Sequence, residues 1–144
     1  MITVPAMNVS QTRRDIIRAF IPNSPLVAHL GIELVDLEPD VARLRLPYRP
    51  ELATIGDVVH GGAIAALLDT ASMAAAWSDD EVPESVAGAT VSMSVDYVAA
   101  AHGADLVATA TAVRRGRSLC FCEVTVTEPG GQVIAKGLAV HRFG

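Results

Sequence analysis

Lysine is nearly missing from this sequence: ten of its eleven basic residues are arginine, and Lys136 is the exception. Aromatic residues are scarce too, at 4% of 144 residues, although 51% are hydrophobic. The core must therefore come from Ala, Val, Leu and Ile. Sixteen acids against eleven bases give a net charge of -5, which argues against nucleic acid or an anionic membrane surface as the main partner. The two cysteines, Cys120 and Cys122, stand two apart in an alternating stretch. Both then point to one face of a strand, where neighbouring thiols rarely meet disulfide geometry. The four histidines, His29, His60, His102 and His141, lack ligand spacing with cysteines or acids, so no metal site is expected. No serine sits in a nucleophile elbow, and no Gly-rich phosphate loop follows a strand. The opening "MITVPAMNVSQTRRDIIRAF" has no basic segment leading into an apolar core. No signal peptide is expected, and the composition reads as a reduced, cytoplasmic protein.

What is present reads as one domain over residues 1–144, with residues 1–30 as a helical leader. "QTRRDIIRAF" has helical spacing, with Ser10 as its candidate N-cap, and a short helix is expected from Ser24 to Leu30 with Pro25 at its first position. "GIELVDLE" and "VARLRLPY" alternate on either side of Pro39-Asp40 and predict a hairpin. After a long helix from about Gly61 to Ser78, "TVSMSVDYVAA", "ADLVATATAVR", "RSLCFCEVTVTE" and "QVIAKGLAVHRF" predict four strands in hairpin succession. A single helix that is apolar nearly all round must be wrapped on most sides. The expected class is α+β, a curved antiparallel sheet rolled around one central helix.

That helix, "HGGAIAALLDTASMAAAW", carries one acid, Asp69. On a helical wheel Ile64, Leu67, Leu68, Ala71 and Ala75 form the core face, while Gly62, Ala65, Ala66, Ser72, Met73 and Ala76 surround Asp69. The acid's own face is thus nearly bald, leaving room for a ligand or for a second helix in close approach. Asp69 can equally cap or bridge a neighbouring group. Gly61 and Gly62 strip side chains from the first turn and expose backbone N–H groups at the positive end of the helix dipole. Such donors stabilise a developing oxyanion. Gly61 and Asp69 are eight residues apart, about 12 Å along the axis, too far for one helix to serve both sides of one carbonyl carbon. A second copy packed antiparallel on the bald face closes that distance, so a homodimer with two composite sites is expected.

"HGGAIAALLDTA" resembles the signature of the PaaI-like hotdog-fold acyl-CoA thioesterases, in which HGG opens the central helix and an acid follows nine residues after the His. "LGIELVDLEPDVARLRLP", "MSVDYVAA" and "RRGRSLCFCEVTV" extend the resemblance from roughly Pro25 to Phe143. The resemblance implies the hotdog fold and hydrolysis of acyl-coenzyme A, with coenzyme A as part of the substrate and no separate cofactor. It implies Asp69 as general base or as nucleophile, the Gly61 amide as the group polarising the thioester carbonyl, His60 as a residue shaping that oxyanion site, and Thr90 as a hydroxyl that orients water. His60 can instead simply cap the helix. Many relatives carry Asn six residues before the motif His, where this chain has Thr54, which offers one hydrogen bond but no amide. The turn "RRGRS" resembles the hairpin near the nucleotide of coenzyme A. Substrate contacts are therefore expected from Thr54, Gly62, Arg114, Arg115, Gly116, Arg117 and Ser118, with Arg117 foremost, although such a turn can also be a solvated hairpin tip. Dimers of dimers are usual in that family. A non-catalytic acyl-CoA binder on the same fold is the alternative, and a hotdog hydratase fits the lone mid-helix acid poorly.

Overall fold

Thr12 opens the first helix of the computed structural model, which describes residues 11–143. Its hydroxyl accepts the Asp15 N–H while the Asp15 carboxylate accepts the Thr12 N–H, a capping box over α1 (Arg13–Phe20). Ser10, the expected cap, lies outside the described residues. The short α2 (Pro25–Leu30) starts on its proline and stops at Gly31, whose φ of 76° is the left-handed turn that glycine adopts without strain. The hairpin of β1 (Glu33–Glu38) and β2 (Val41–Leu46) follows as expected.

A second, very short hairpin, β3 (Ala53–Ile55) with β4 (Val58–Val59), has no counterpart in the sequence reading. It leads directly into α3 (Gly61–Ala76), which ends two residues before the expected Ser78. The remaining strands are β5 (Gly88–Tyr97), β6 (Leu106–Arg115), β7 (Leu119–Thr127) and β8 (Val133–Phe143). They do not run in simple hairpin succession. The sheet order is β1-β2-β6-β7-β8-β5, so β5 pairs with β8 and stands at an edge. The segment between β5 and β6 explains this order. It returns across the start of α3, where Val59 N–H donates to Ala101 O and His102 bridges Val58, instead of making a tight turn.

The result is one curved antiparallel sheet around a central helix, the hotdog arrangement. Bulges between Thr90 and Ser92 and between Ala112 and Arg114 add local bend. Leu67, Leu68, Ala71, Ala74 and Ala75 are fully buried, and the alanines let helix and sheet come close. Cys120 and Cys122 are free thiols on the inward face of β7, with Sγ atoms 3.9 Å apart. The leader is fastened by charge: buried Arg13 pairs with Asp79 at 3.0 Å and Glu81 at 3.1 Å while lying over the Phe143 ring at 4.1 Å.

Gly137 marks the tightest approach. A Cβ there would lie 2.6 Å from Leu68 Cδ1 and 2.8 Å from Ser94 O, and the second contact is backbone. Gly137→Ala is expected to lower stability by about 1–3 kcal/mol through overpacking, measured by urea denaturation.

Candidate functional site

The first turn of α3 has one unused donor. His60 is the N-cap, and its Nδ1 accepts the Gly62 N–H at 2.7 Å. His60 O accepts from Ala63 N at 3.0 Å and Ile64 N at 3.2 Å. Among the described residues no partner takes the Gly61 N–H, which belongs to the same peptide unit as that doubly engaged carbonyl. Hydrogen bonds accepted by a peptide oxygen strengthen its N–H as a donor, and the helix dipole adds to the effect. His60 is therefore the cap, and its Nδ1 must be unprotonated to hold Gly62. Gly62, expected to contact substrate, has its amide taken up by this cap.

Asp69 lies on the same helix, partly open to solvent. The open stripe is narrower than the helical wheel suggested. Gly62, Ala65, Ala66, Asp69 and Met73 remain partly accessible, whereas Ser72 and Ala76 are turned into the core with no exposure. β5 and β8 wrap that side of the helix and claim Ser72 for a polar contact beneath the acid.

That contact belongs to a chain of four side chains. Thr90 Oγ1 donates to Asp69 Oδ1 at 2.7 Å and lies 3.3 Å from His141 Nδ1. His141 Nε2 stands 2.8 Å from Ser72 Oγ, and Ser72 Oγ donates to Asp69 O at 2.8 Å. The Ser72 hydroxyl has one hydrogen and gives it to the carbonyl, so His141 supplies the proton of the other bond from Nε2. His141 then presents a lone pair on Nδ1 to Thr90, beside the Asp69 carboxylate. Thr90 gives its single hydrogen to the anion, so the 3.3 Å approach to the imidazole is a contact without a bridging proton.

The other expected residues divide. Thr54 is exposed on β3 next to the start of α3, where Ala53 pairs with Val59 and His60 N–H donates to Leu52 O at 2.8 Å. Arg115 is committed to the fold. It pairs with Asp40 at 2.7 Å and Asp79 at 2.9 Å and donates to Ala75 O and Ala76 O, a cationic cap on the last carbonyls of α3. Gly116 makes the turn tight, its N–H reaching Leu119 O at 2.7 Å. Arg114, Arg117 and Ser118 are exposed. This turn sits at the C-terminal end of a helix 16 residues long, about 24 Å along the axis from Gly61 at 1.5 Å per residue.

The sequence reading missed His141, the inward role of Ser72, and Tyr97, whose hydroxyl donates to Gly61 O at 2.9 Å. A signal was present for the first. His141 is in phase with the inward residues Ala135 and Ala139 of an alternating strand, so it was a polar residue at a core position.

Comparison with known proteins gives a consistent set. The family model described as Thioesterase superfamily matches residues 56–135. A Mycobacterium tuberculosis protein provisionally named an esterase is 36% identical over 116 residues, covering 78% of this chain and 81% of that one. Human acyl-coenzyme A thioesterase 13 is 29% identical over 141 residues, covering 95% and 98%. A thioesterase family protein from Silicibacter pomeroyi superposes with a TM-score of 0.81 at 28% identity, over 89% of this chain and 96% of that one. The Escherichia coli PaaI protein shares the fold at 17% identity, with a TM-score of 0.80 over 95% and 96%.

Burial sets the protonation behaviour of His141. It pushes the His141 pKa down, against the opposing pull of the Asp69 charge. The unfolded chain protonates this ring near the ordinary value of about 6.5, while the folded chain resists to lower pH. The contribution to stability is complete above that value and is lost as pH falls below it. The drop in Tm between about pH 7.5 and pH 5 is expected to be smaller in His141→Gln than in the wild type, read by thermal unfolding.

Proposed function

Because this chain belongs to the thioesterase superfamily, we propose that it hydrolyses acyl-coenzyme A thioesters, using Asp69 of one subunit against a carbonyl held at Gly61 of another. The observation that carries this reading is the pairing of a partly open carboxylate, steadied by Thr90, with an unused amide at the start of the same helix. The Gly61 N–H takes the thioester oxygen. Thr90 occupies Asp69 Oδ1 and leaves Oδ2 to act. As general base, Asp69 accepts a proton from water as the water oxygen bonds to the carbonyl carbon. As nucleophile, it bonds to that carbon itself and water later cleaves the anhydride. On either route the oxyanion rests on the Gly61 amide and the C–S bond breaks with its electron pair passing to sulfur; the thiolate takes up the proton that Asp69 accepted, or on the nucleophile route one from water, and acid and free thiol leave. The reaction calls for no cofactor besides the coenzyme A of the substrate.

The site is composite in this proposal. β5 is an edge strand of ten residues, and Met93 and Tyr97 on its concave side remain open beside the bald stripe of α3. A long edge strand with unpaired backbone groups invites pairing. A second copy joined there, with its α3 antiparallel, supplies Asp69 across from Gly61 and brings its own β6–β7 turn toward the far end of the ligand. Arg114, Arg117 and Ser118 are then placed to meet phosphate groups, while Arg115 stays with the fold.

Two measurements test this. Against a panel of acyl-CoAs with thiol detection, Asp69→Asn is expected to lose about 10² or more in rate. Full retention of rate in that variant, or binding without turnover by the wild type, would overturn the catalytic reading. Sedimentation of active protein is expected to give a dimer or a multiple of it, and an active monomer would exclude the shared site.

A further inference from the structure

The two glycines that open α3 give its first turn no side chain with which to hold itself, yet an oxyanion donor works only when its direction is fixed beforehand. The Gly61–Gly62 peptide is instead clamped from outside. Its N–H is held by His60 Nδ1 at 2.7 Å, and its oxygen accepts the Tyr97 hydroxyl at 2.9 Å. The Tyr97 ring also lies against Gly61: a Cβ at that position would meet Cε1 at 3.3 Å and Cζ at 3.4 Å. So Tyr97 accounts for the bare side of Gly61 as well as for the placement of its carbonyl. Tyr97 is still 52% exposed, which means the contact is not simply part of the core.

Tyr97 and Thr90 belong to the same strand and the same face. In the pairing of β5 with β8, Thr90 is opposite His141 and Tyr97 is opposite Ala135, both buried. One edge strand therefore grips α3 at the Gly61 carbonyl with Tyr97 and at the acid with Thr90. We propose that Tyr97 is a positioning residue for the thioester carbonyl site, fixing the direction of the Gly61 amide through the Gly61 oxygen and the adjacent ring contact. This rests on the thioesterase reading above. Tyr97 does not touch the reacting atoms in this role. It acts through the helix turn, so its removal loosens the donor without deleting it.

The test uses Tyr97→Phe, which keeps the ring and removes the hydroxyl, beside Tyr97→Leu, which removes both. Losing an oxyanion donor outright costs about 10²–10³ in kcat, and a loosened donor is expected to cost about 5- to 20-fold. In Tyr97→Phe kcat should fall by that factor with KM within about twofold of wild type, and Tyr97→Leu should fall at least as far. Amide hydrogen exchange at Gly62, Ala63 and Ile64 should quicken in both variants, a readout that does not depend on turnover. An unchanged kcat with unchanged exchange in Tyr97→Phe overturns the proposal, as does a change confined to KM. If the wild type hydrolyses no thioester, the thioesterase reading fails by itself, and unchanged exchange in Tyr97→Phe would still show that the clamp does not exist.

Discussion

A carboxylate standing at the seam between an alanine-rich core and solvent is the constraint around which this molecule is arranged. Burying such a charge without partners costs several kcal/mol, and leaving it in open water would surrender control of its direction. Asp69 does neither. Thr90 supplies a hydroxyl to one oxygen, His141 backs Thr90 from the core, and Ser72 closes the chain onto the carbonyl of Asp69 itself. Most polar atoms that approach the core are thus paired among themselves, the His141 Nδ1 lone pair excepted. What remains partly open is a carboxylate on a stripe of mostly small side chains.

The rest of the fold supplies the rigidity this needs. The sheet reaches the helix closely because alanine and glycine line the approach, with Gly137 directly under Leu68. The two ends of α3 are finished by different chemistry. An imidazole and a phenol hold the N-terminal turn, and the Arg115 guanidinium covers the last carbonyls. The acids that anchor Arg115 and Arg13 overlap at Asp79, so the leader helix and the C-terminal end of α3 share one ionic junction.

Much of this was readable from residue order. The apolar run broken by one acid defined α3 and its core face, and alternation placed all the long strands. The resemblance drew attention to Gly61 and Thr90, and the structure sets Thr90 against Asp69 and leaves the Gly61 N–H without a partner among the described residues. What escaped the reading depended on neighbours distant in sequence. Pairing of β5 with β8 is set by a crossing segment, which local turn signals do not reveal. A helical wheel treats solvent and sheet alike, so Ser72 and Ala76 were put on the open side although the flanking strands cover them. Arg115 looked like its neighbours in a basic turn until Asp40 and Asp79, far away in the chain, were seen to hold it. A two-residue strand such as β4 is too short for any periodicity to announce it.

The single-strand origin of both grips on α3 has a consequence for errors in assembly. Side chains on a strand alternate between faces, so a slip of β5 by one residue against β8 would turn Thr90 and Tyr97 outward together. The acid would lose its hydroxyl and the glycine turn its phenol in the same event. A misregistered copy would lack both grips at once, where a single substitution on β5 would loosen only one.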